Sequence, residues 1–406
     1  MLLLAAEVGI FAVGCNSEPL GPISSNPQAV GGNITFQSLA AGADMACGVA
    51  TSGAAFCWGS GGGYQLPGAV GVTDTPLPLN VGGPVAFSSV SVGASHICGV
   101  TSAGTATCWG DGQAGELGTG AATYLAAAGT AVSGGLSFAM LSAGSGRTCG
   151  VTVGGAAYCW GSDGHWSLGT GAPRDTAVFV PVAVSGGLSF TFVATATEGG
   201  HVCGLARGGI PYCWGNNDHG QLGIASAADS AIVPVPVVGG QIMTTLSLGA
   251  LHTCGLTPNG SAYCWGDNSV GQLGTGSSAS YERAPAAVAG GLRFVSISGG
   301  NFHTCGVTTG GRAFCWGANN YGQLGNGFGD TSFVPVPVFI PGIGGLTTVA
   351  GGAAHTCALT TAGAAYCWGT LFPCAEKPGP WSLVQFCAYD DKQSTRAIER
   401  PSVVQQ

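Results

Sequence analysis

The stretch CGVTTGGRAFCWG, from Cys305 to Gly317, decides the fold of this 406-residue chain. Its two cysteines enclose nine residues, and short runs of Val, Thr and Phe flank a glycine-rich turn, which is the pattern of a β-hairpin. Gly311 stands where a three-residue hairpin loop needs a left-handed residue, a conformation that glycine adopts without steric cost. Pairing about the loop centre puts the cysteines directly opposite each other, about 4.5 Å apart at Cα. The stretch therefore predicts a hairpin closed by a cross-strand disulfide.

The same unit occurs seven times along the chain. The first cysteines are separated by 51, 51, 54, 51, 51 and 52 residues, and Trp-Gly follows every second cysteine. A period this regular is typical of a repeat architecture rather than of two or three domains. Zinc is disfavoured, because paired zinc ligands usually stand about two to four residues apart. We therefore expect seven disulfides and an oxidising compartment. The expected pairs are Cys47 with Cys57, Cys98 with Cys108, Cys149 with Cys159, Cys203 with Cys213, Cys254 with Cys264, Cys305 with Cys315, and Cys357 with Cys367.

Two further strands complete each unit. A turn ending in Gly-x-Leu-Gly follows Trp-Gly, as at Gly271–Gly274, and the third unit departs from it with Trp166-Ser167-Leu168-Gly169. Next comes a Pro/Val strand such as Val233–Val237, where proline suits an outer edge. A strand of small residues such as Phe294–Gly300 suits the crowded inner position. The sequence therefore predicts an all-β, seven-bladed β-propeller with four antiparallel strands in each blade.

The repeat G-x-x-H-T-C-G-x-T-x-x-G-x-x-Y-C-W-G-x-N-x-x-G-Q-L-G, clearest from Leu248 to Gly274, resembles that of the regulator of chromosome condensation (RCC1) family. The resemblance covers about residues 31–370, and it implies a seven-bladed propeller. The added cysteine pair departs from the nuclear members and resembles a variant found in exported bacterial relatives. The family name implies exchange-factor activity on a nuclear small GTPase, which depends on a hairpin inserted in one blade. We do not transfer this activity, because the longest repeat step of 54 residues exceeds the usual 51 by only three.

The N-terminus has the composition of an export signal. Residues 1–15, MLLLAAEVGIFAVGC, are apolar except for Glu7 and end in small residues. Ala12–Cys15 resembles a bacterial lipobox, which implies lipidation of Cys15. Ala12 replaces the usual Leu and no Lys or Arg precedes the apolar core, so an ordinary signal peptide is the alternative. Residues 16–30 are expected to form a flexible tether. The protein is then exported to the periplasm, outer membrane or cell surface as a lipoprotein, or else secreted.

Residues 371–406 are expected to form a loop and a strand that closes the ring. Glu399–Val404 resembles Glu282–Val288, and we expect it to pair as the outer strand of the last blade, which removes an open edge. Pro27–Gly32 is the alternative for the same position. Cys374 and Cys387 predict an eighth disulfide across a surface loop.

The repeated polar residues are expected to be structural. Five histidines share one repeat position, and we expect each to pack near a strand turn and to bond to the backbone rather than to form a metal-binding ring. They are His96, His201, His252, His303 and His355, with Met45 and Arg147 in the other two units. The tryptophans after the second cysteines are expected to pack inside the blades. Asp111, Asp163, Asp218 and Asp267 are expected to make turn bonds. No carboxylate pair, nucleophilic cysteine or Walker loop stands out, so we predict no enzyme activity, no cofactor and no metal.

Charge narrows the class of partner. The net charge is −8 with only two lysines, so the chain cannot build the basic face that nucleic acid requires. No apolar run reaches the roughly 18 residues of a membrane span, which leaves the N-terminal lipid as the only membrane contact. We expect a monomeric, non-catalytic, exported scaffold that binds an unknown protein through its variable loops. The candidate anchors are Tyr124, Tyr281, Phe328 and Phe333. The alternatives are a secreted inhibitor of a β-lactamase-type enzyme, an exchange factor by family name only, and a polysaccharide-active propeller enzyme.

Overall fold

The computed structural model describes residues 28–30, 32–60, 74–172, 177–326, 331–338 and 345–369. These residues form seven four-stranded antiparallel sheets, each running in chain order from an inner to an outer strand, with one exception at the chain ends. The all-β, seven-bladed propeller predicted from the repeat is therefore confirmed. Two single 3-10 turns, Gly164–Trp166 and Ala289–Gly291, complete the regular structure of the described residues.

The strands of blades one to seven are named here by their position in the blade. The inner strands are Phe36–Ala41, Phe87–Val92, Phe138–Ala143, Phe190–Thr195, Thr245–Leu248, Phe294–Gly299 and Leu346–Gly351. The second strands are Met45–Ala50, His96–Thr101, Arg147–Thr152, His201–Ala206, His252–Leu256, His303–Thr308 and His355–Thr360. The third strands are Ala55–Ser60, Ala106–Gly112, Ala157–Gly161, Ile210–Asn216, Ala262–Asp267, Ala313–Gly317 and Ala365–Gly369. The outer strands are Asp74–Asn80, Thr123–Ala131, Val178–Ala183, Ser230–Pro236, Tyr281–Ala287, Ser332–Pro337 and, in blade seven, Gln28–Val30.

The second and third strands form the predicted hairpins. In blade six, Cys305 pairs with Cys315 in the ladder, and Gly311 has a φ of 72° at the last position of the loop. The same opposition of cysteines occurs in every blade, and all seven predicted repeat disulfides are formed, with Cα atoms 4.0–4.1 Å apart. The bonded pairs are Cys47 with Cys57, Cys98 with Cys108, Cys149 with Cys159, Cys203 with Cys213, Cys254 with Cys264, Cys305 with Cys315, and Cys357 with Cys367. The expected bridge between Cys374 and Cys387 lies outside the described residues, as does Cys15.

A small core lies between each pair of neighbouring blades, where the tryptophan that follows the second cysteine of one blade packs against the hairpin of the preceding blade. All seven of these indoles are 0–1% exposed. In five blades, a phenylalanine that begins the inner strand lies 5.5–6.0 Å from the indole, measured between ring centroids. The predicted role of the tryptophans in blade packing is therefore confirmed.

Small residues let the inner strands approach each other closely. A Cβ atom on Gly352 would lie 2.6 Å from the carbonyl oxygen of Gly42, and one on Gly93 would lie 2.6 Å from that of Gly144. Side-chain hydroxyls bridge neighbouring inner strands, as where the Ala143 amide donates to Ser91 Oγ at 2.8 Å. The small-residue pattern therefore marks the wall of the central channel.

The ring is closed by the N-terminal segment, which corrects the preferred sequence prediction. Gln28–Val30 pairs with the third strand of blade seven, Ala29 lying opposite Tyr366. The position expected for Glu399–Val404 is therefore already filled, and the preference for the C-terminal segment is wrong; residues 399–404 themselves lie outside the described residues. Residues 28–30 likewise belong to the propeller rather than to the tether. Sequence could not separate the two, because both segments carry the short pattern that an outer strand needs.

Candidate interaction face

The antiparallel order of the strands gives the propeller two different faces. The loop face contains the turns between inner and second strands and the connections between third and outer strands. The hairpin face contains the tight second-to-third hairpins and the outer-to-inner connections. The loop face has the longer and more varied connections, which is where binding residues of rigid scaffolds are concentrated.

Just beneath the loop face, a hydrogen-bonded clasp joins most pairs of neighbouring blades. His252 of blade five lies 2.9 Å from the hydroxyl of Thr304 in blade six, measured from Nε2. The Thr304 hydroxyl donates to the carbonyl oxygen of Gln272 at 2.8 Å, and Trp316 Nε1 donates to the same oxygen at 2.9 Å. Because the hydroxyl has one hydrogen and gives it to the carbonyl, the histidine must donate through Nε2.

The clasp recurs around the ring. The other His–Thr pairs are His96 with Thr148, His201 with Thr253 and His303 with Thr356, at 2.7–3.0 Å. The sequence prediction that these histidines are structural fits this geometry, but their partner is a threonine of the next blade and not the backbone of their own turn. Burial lowers the pKa of His96, His201, His252 and His355 to about 3 and that of His303 to about 4. The buried rings are therefore neutral near pH 7.

Where the histidine is replaced, its partner is replaced too. Met45 of blade one faces a blade that has Ile97 in the threonine position, and the blade after Arg147 has Val202 there. Arg147 instead donates through Nη1 to the carbonyl of Gly199 at 2.7 Å. This pairing is not identified from the sequence, although six of the seven junctions match the first residue of one second strand to the threonine position of the next. The exception is His355, which faces Ala46, and its Nε2 has no partner among the described residues.

One clasp carries a carboxylate in the place of the usual glutamine. Glu116 stands where three other blades have Gln221, Gln272 and Gln323, and it is 1% exposed. Burial, with a smaller contribution from Asp111, raises the pKa of the Glu116 carboxyl to about 7. Glu116 is therefore a packed junction residue and offers no exposed acid for catalysis.

The acidic residues are sorted onto one face. All ten Asp and Glu of the described residues lie on loop-face turns, on third-to-outer connections or at the strand ends that border them: Asp44, Asp74, Asp111, Glu116, Asp163, Glu198, Asp218, Asp229, Asp267 and Glu282. Three of the five described arginines lie on the hairpin face and are exposed: Arg207, Arg293 and Arg312. Glu116, Asp163 and Asp267 are buried, but the exposed Glu198, Asp218 and Asp229 make the loop face acidic, whereas the hairpin face is basic.

Two of these acidic residues, Glu198 and Asp44, lie on turns at the mouth of the central channel. Asn301 of blade six donates through Nδ2 to the Glu198 carboxylate of blade four. Burial, with Glu198 as a further cause, raises the pKa of Asp44 in blade one. Three turns from separate blades therefore place their polar side chains together at the centre of the face.

The acids predicted to make turn bonds do so. Asp163 Oδ1 accepts from the Leu168 amide at 2.9 Å, and Asp111 Oδ1 accepts from the Gln113 amide at 3.0 Å. Asp267 accepts from the Ser269 hydroxyl at 2.8 Å, while Asp218 accepts from the Asn216 side chain at 3.2 Å. These carboxylates order the connections of the loop face.

The predicted aromatic anchors lie at the loop face, but on strands rather than on loops. Tyr124, Tyr281 and Phe333 each stand at the first or second position of an outer strand, because those strands begin earlier than the Pro/Val motif suggests. Tyr124 is 65% exposed, and Tyr281 is exposed beneath the Arg283 guanidinium, whose carbon lies 5.0 Å from the ring centroid. Phe333 instead covers the Gly271 turn of the preceding blade. Phe328 lies outside the described residues.

Trp166 is the aromatic residue whose backbone sets it apart. Four other blades have glycine at this position, with φ values of 73–86°. Trp166 and its neighbour His165 both have a φ of 58°, which is a strained conformation for bulky side chains. The turn lies beside the third and outer strands of blade four, and the indole is 37% exposed. Its signal in the sequence was a tryptophan in place of a repeated glycine.

The described part of the chain contains neither a cluster of metal ligands nor a membrane-spanning helix. Among these residues, no group of three or more His, Cys, Asp or Glu side chains is placed to hold a metal ion. No helix within the same ranges is long and apolar enough to cross a membrane.

Family models of the regulator of chromosome condensation (RCC1) repeat match residues 209–256, 259–307 and 310–359, and a second such model matches 87–116, 244–272 and 294–323. The Arabidopsis thaliana ultraviolet-B receptor UVR8 is 29% identical over 338 residues, covering 82% of this chain and 76% of the receptor. The human E3 ubiquitin-protein ligase HERC2 is 29% identical over 357 residues, but the match covers 85% of this chain and only 7% of the ligase.

Solved structures show the same fold. Human WBSCR16 superposes with a TM-score of 0.74 at 20% identity, covering 86% of this chain and 94% of that one. Yeast RCC1 (Prp20), solved with Kap60, superposes with a TM-score of 0.67 at 19% identity, covering 89% and 86%. Repeat models and relatives agree that the chain contains RCC1-type repeats, and the solved structures show the same seven-bladed fold.

Proposed function

We propose that this protein is a non-catalytic, exported scaffold whose acidic loop face binds a protein with a basic surface. The observation that carries the proposal is the sorting of charge, with every described acid on one face and Trp166 exposed on that same face. Complementary charge steers association and fixes orientation, while exposed aromatic residues are the usual anchors of protein interfaces.

Export is supported by the seven disulfides and by the apolar N-terminal segment. In a cell envelope, a rigid and disulfide-closed ring suits the task of holding partner proteins, and a lipid on Cys15 would fix it to a membrane surface. Mass spectrometry of the mature N-terminus tests this part separately: a diacylglyceryl Cys15 supports it, and an intact Met1 contradicts it.

The binding face is tested by a variant that separates binding from folding. Trp166→Gly restores the residue that four other blades carry, so the backbone strain of about 1–3 kcal/mol is removed and the fold should be kept. The matched control is Val153→Ser, which removes an exposed apolar side chain from the hairpin of the same blade on the opposite face.

Tagged wild-type and variant proteins are compared by crosslinking and mass spectrometry on envelope extracts. We expect wild type and Val153→Ser to capture the same basic partner proteins. Trp166→Gly should capture at least tenfold less of these proteins. Capture by all three should fall as the salt concentration is raised. Equal capture by all three proteins would overturn the assignment of the face. If the partner is a secreted enzyme, inhibition of its activity distinguishes the inhibitor alternative from a passive scaffold.

A further inference from the structure

Three exposed arginines are the only charged residues on the described part of the hairpin face, and they share one sector of the ring. Arg207 lies in the hairpin of blade four, Arg312 lies in that of blade six, and Arg293 directly precedes the inner strand of blade six. All ten acids of the described residues lie at the opposite face. The positive charge of this sector is therefore not neutralised by carboxylates of the same face.

Each of the three guanidinium groups is held by an uncharged neighbour. Arg207 donates through Nε to Ser189 Oγ at 3.0 Å. Arg293 donates through Nη1 to the hydroxyl of Ser261. The third guanidinium carbon lies 5.7 Å from the centroid of the Phe314 ring. Because a guanidinium carries five N–H donors, most of these donors are left for an anionic partner such as phosphate, which arginine binds with two parallel hydrogen bonds.

Exposed aliphatic side chains lie among the arginines. Ile210 is exposed in the hairpin of blade four, and a Cβ atom on Gly209 would lie 2.8 Å from Cγ2 of the exposed Ile242. The two isoleucines are therefore neighbours. Val295 is exposed two residues after Arg293. Positive and aliphatic groups thus alternate over one surface, the arginine patch, which consists of Arg207, Ile210, Ile242, Arg293, Val295 and Arg312.

The form of the hairpin face favours a flat partner. All seven second-to-third hairpins are short and turn at a glycine with a φ of 72–89°. The exposed large hydrophobic residues described on this face are aliphatic, whereas aromatic residues are the usual anchors of protein interfaces. The exposed aromatic residues of the described ranges instead lie at the loop face: Tyr124, Trp166, Tyr281 and Phe302. An even surface of arginine and aliphatic side chains suits a bilayer, where guanidinium groups bind lipid phosphates and aliphatic groups enter the headgroup boundary.

We propose that the hairpin face docks onto a membrane surface of anionic phospholipids through the arginine patch. The same membrane repels the acidic loop face, so the charge of the two faces orients the propeller with its loop face toward solvent. This orientation presents the loop face to a protein partner, but the docking itself does not depend on that partner.

The docking is tested by co-sedimentation of the full chain with vesicles, using Cys15→Ser in every sample so that no acyl chain contributes. One set of vesicles contains phosphatidylcholine and about one third phosphatidylglycerol, and the other contains phosphatidylcholine alone. We expect binding to the anionic vesicles only, and loss of this binding as salt is raised. Arg207→Gln, Arg293→Gln and Arg312→Gln should each weaken binding about fivefold, and the triple variant roughly a hundredfold. Arg283→Gln makes the same change in charge beside the loop face and, as the control, should leave binding unchanged.

Two results would overturn the docking to lipid. One is that the wild-type patch does not bind the anionic vesicles, and the other is that the triple variant binds them as tightly as the wild-type patch does. If neither set of vesicles binds, while the triple variant alone fails to crosslink an acidic protein in envelope extracts, the patch serves a protein and the lipid proposal is wrong. Circular dichroism checks that the triple variant is folded, which we expect because all three side chains are exposed.

Discussion

Histidine, threonine and a backbone carbonyl act as one unit at each complete clasp. His252 donates to Thr304, which in turn donates to the Gln272 carbonyl, so the middle group is both acceptor and donor. Removing it leaves a buried imidazole N–H and weakens the hold on the carbonyl. Because unpaired buried groups cost more than paired ones contribute, the loss should exceed that of an ordinary hydrogen bond.

Blades one and two carry an apolar pair, Met45 and Ile97, in place of histidine and threonine, and this pair can be copied into another junction. Thr304→Ile should lower the free energy of unfolding by about 1–3 kcal/mol. Adding His252→Met reproduces the apolar pair Met45 and Ile97 of blades one and two, and should recover most of the loss. Urea unfolding of the wild type, both single variants and the double variant measures the coupling. If the double variant loses as much free energy of unfolding as the two single variants lose together, the three groups do not act as one unit.

The second prediction concerns Glu116, whose pKa burial raises to about 7. The native state then holds a proton that the unfolded state, with a carboxyl pKa near 4.5, has released, so stability falls as pH rises from about 4.5 through 7. Glu116→Gln removes this dependence and matches the neighbouring blades. We expect a higher Tm for the variant at pH 8 and little difference at pH 4.5. Equal Tm values at pH 8 would show that Glu116 is not buried as a protonated acid.

At the scale of the element, each hairpin is closed by a disulfide across a nine-residue interval. Most of this element was predictable from the sequence, because the loop glycine, the cysteine spacing and the Trp-Gly signature are all local. The sequence predicts a loop position for Tyr281, since it does not show where an outer strand begins. The Thr304 partner of His252 was missed, because contacts between blades depend on the curvature of the ring and leave no local pattern.

The third prediction addresses the hairpin disulfide. Replacing both Cys254 and Cys264 with Ala should lower stability by up to about 3 kcal/mol, chiefly by freeing the unfolded chain. The ladder and the junctions remain, so the propeller should still form. Denaturant unfolding and near-UV circular dichroism check this, with the reduced wild type as reference. A fully unfolded double variant would show that the bridges are needed for folding and do more than add stability.

At the scale of the whole molecule, acid should unfold the ring. The five buried histidines have pKa values of about 3–4 in the folded state and about 6.5 when unfolded, so the unfolded state binds more protons between these limits. Stability should therefore fall as pH falls below about 6.5, by up to about 1.4 kcal/mol per pH unit for each histidine. The opposite slope of Glu116 comes from a single group and cannot offset five.

The fourth prediction is that urea midpoints drop steadily from pH 7 to pH 4 while the m-value stays constant. The double variant His252→Met/Thr304→Ile loses one of the five groups and should show a slope about one fifth smaller. A midpoint that does not move with pH would mean that the histidines are protonated in the folded ring.

Closure by Gln28–Val30 completes blade seven from the opposite end of the chain, so the ring cannot be finished until the last repeat is made. The residue pair at each junction then specifies which two blades fit together. A blade whose second strand begins with methionine fits a neighbour with isoleucine, arginine fits valine, and histidine fits threonine. Near-identical repeats are prone to swap places between copies of a chain. Three junctions depart from the His–Thr pair, namely Met45 with Ile97, Arg147 with Val202 and His355 with Ala46, so a misplaced blade meets a mismatched neighbour.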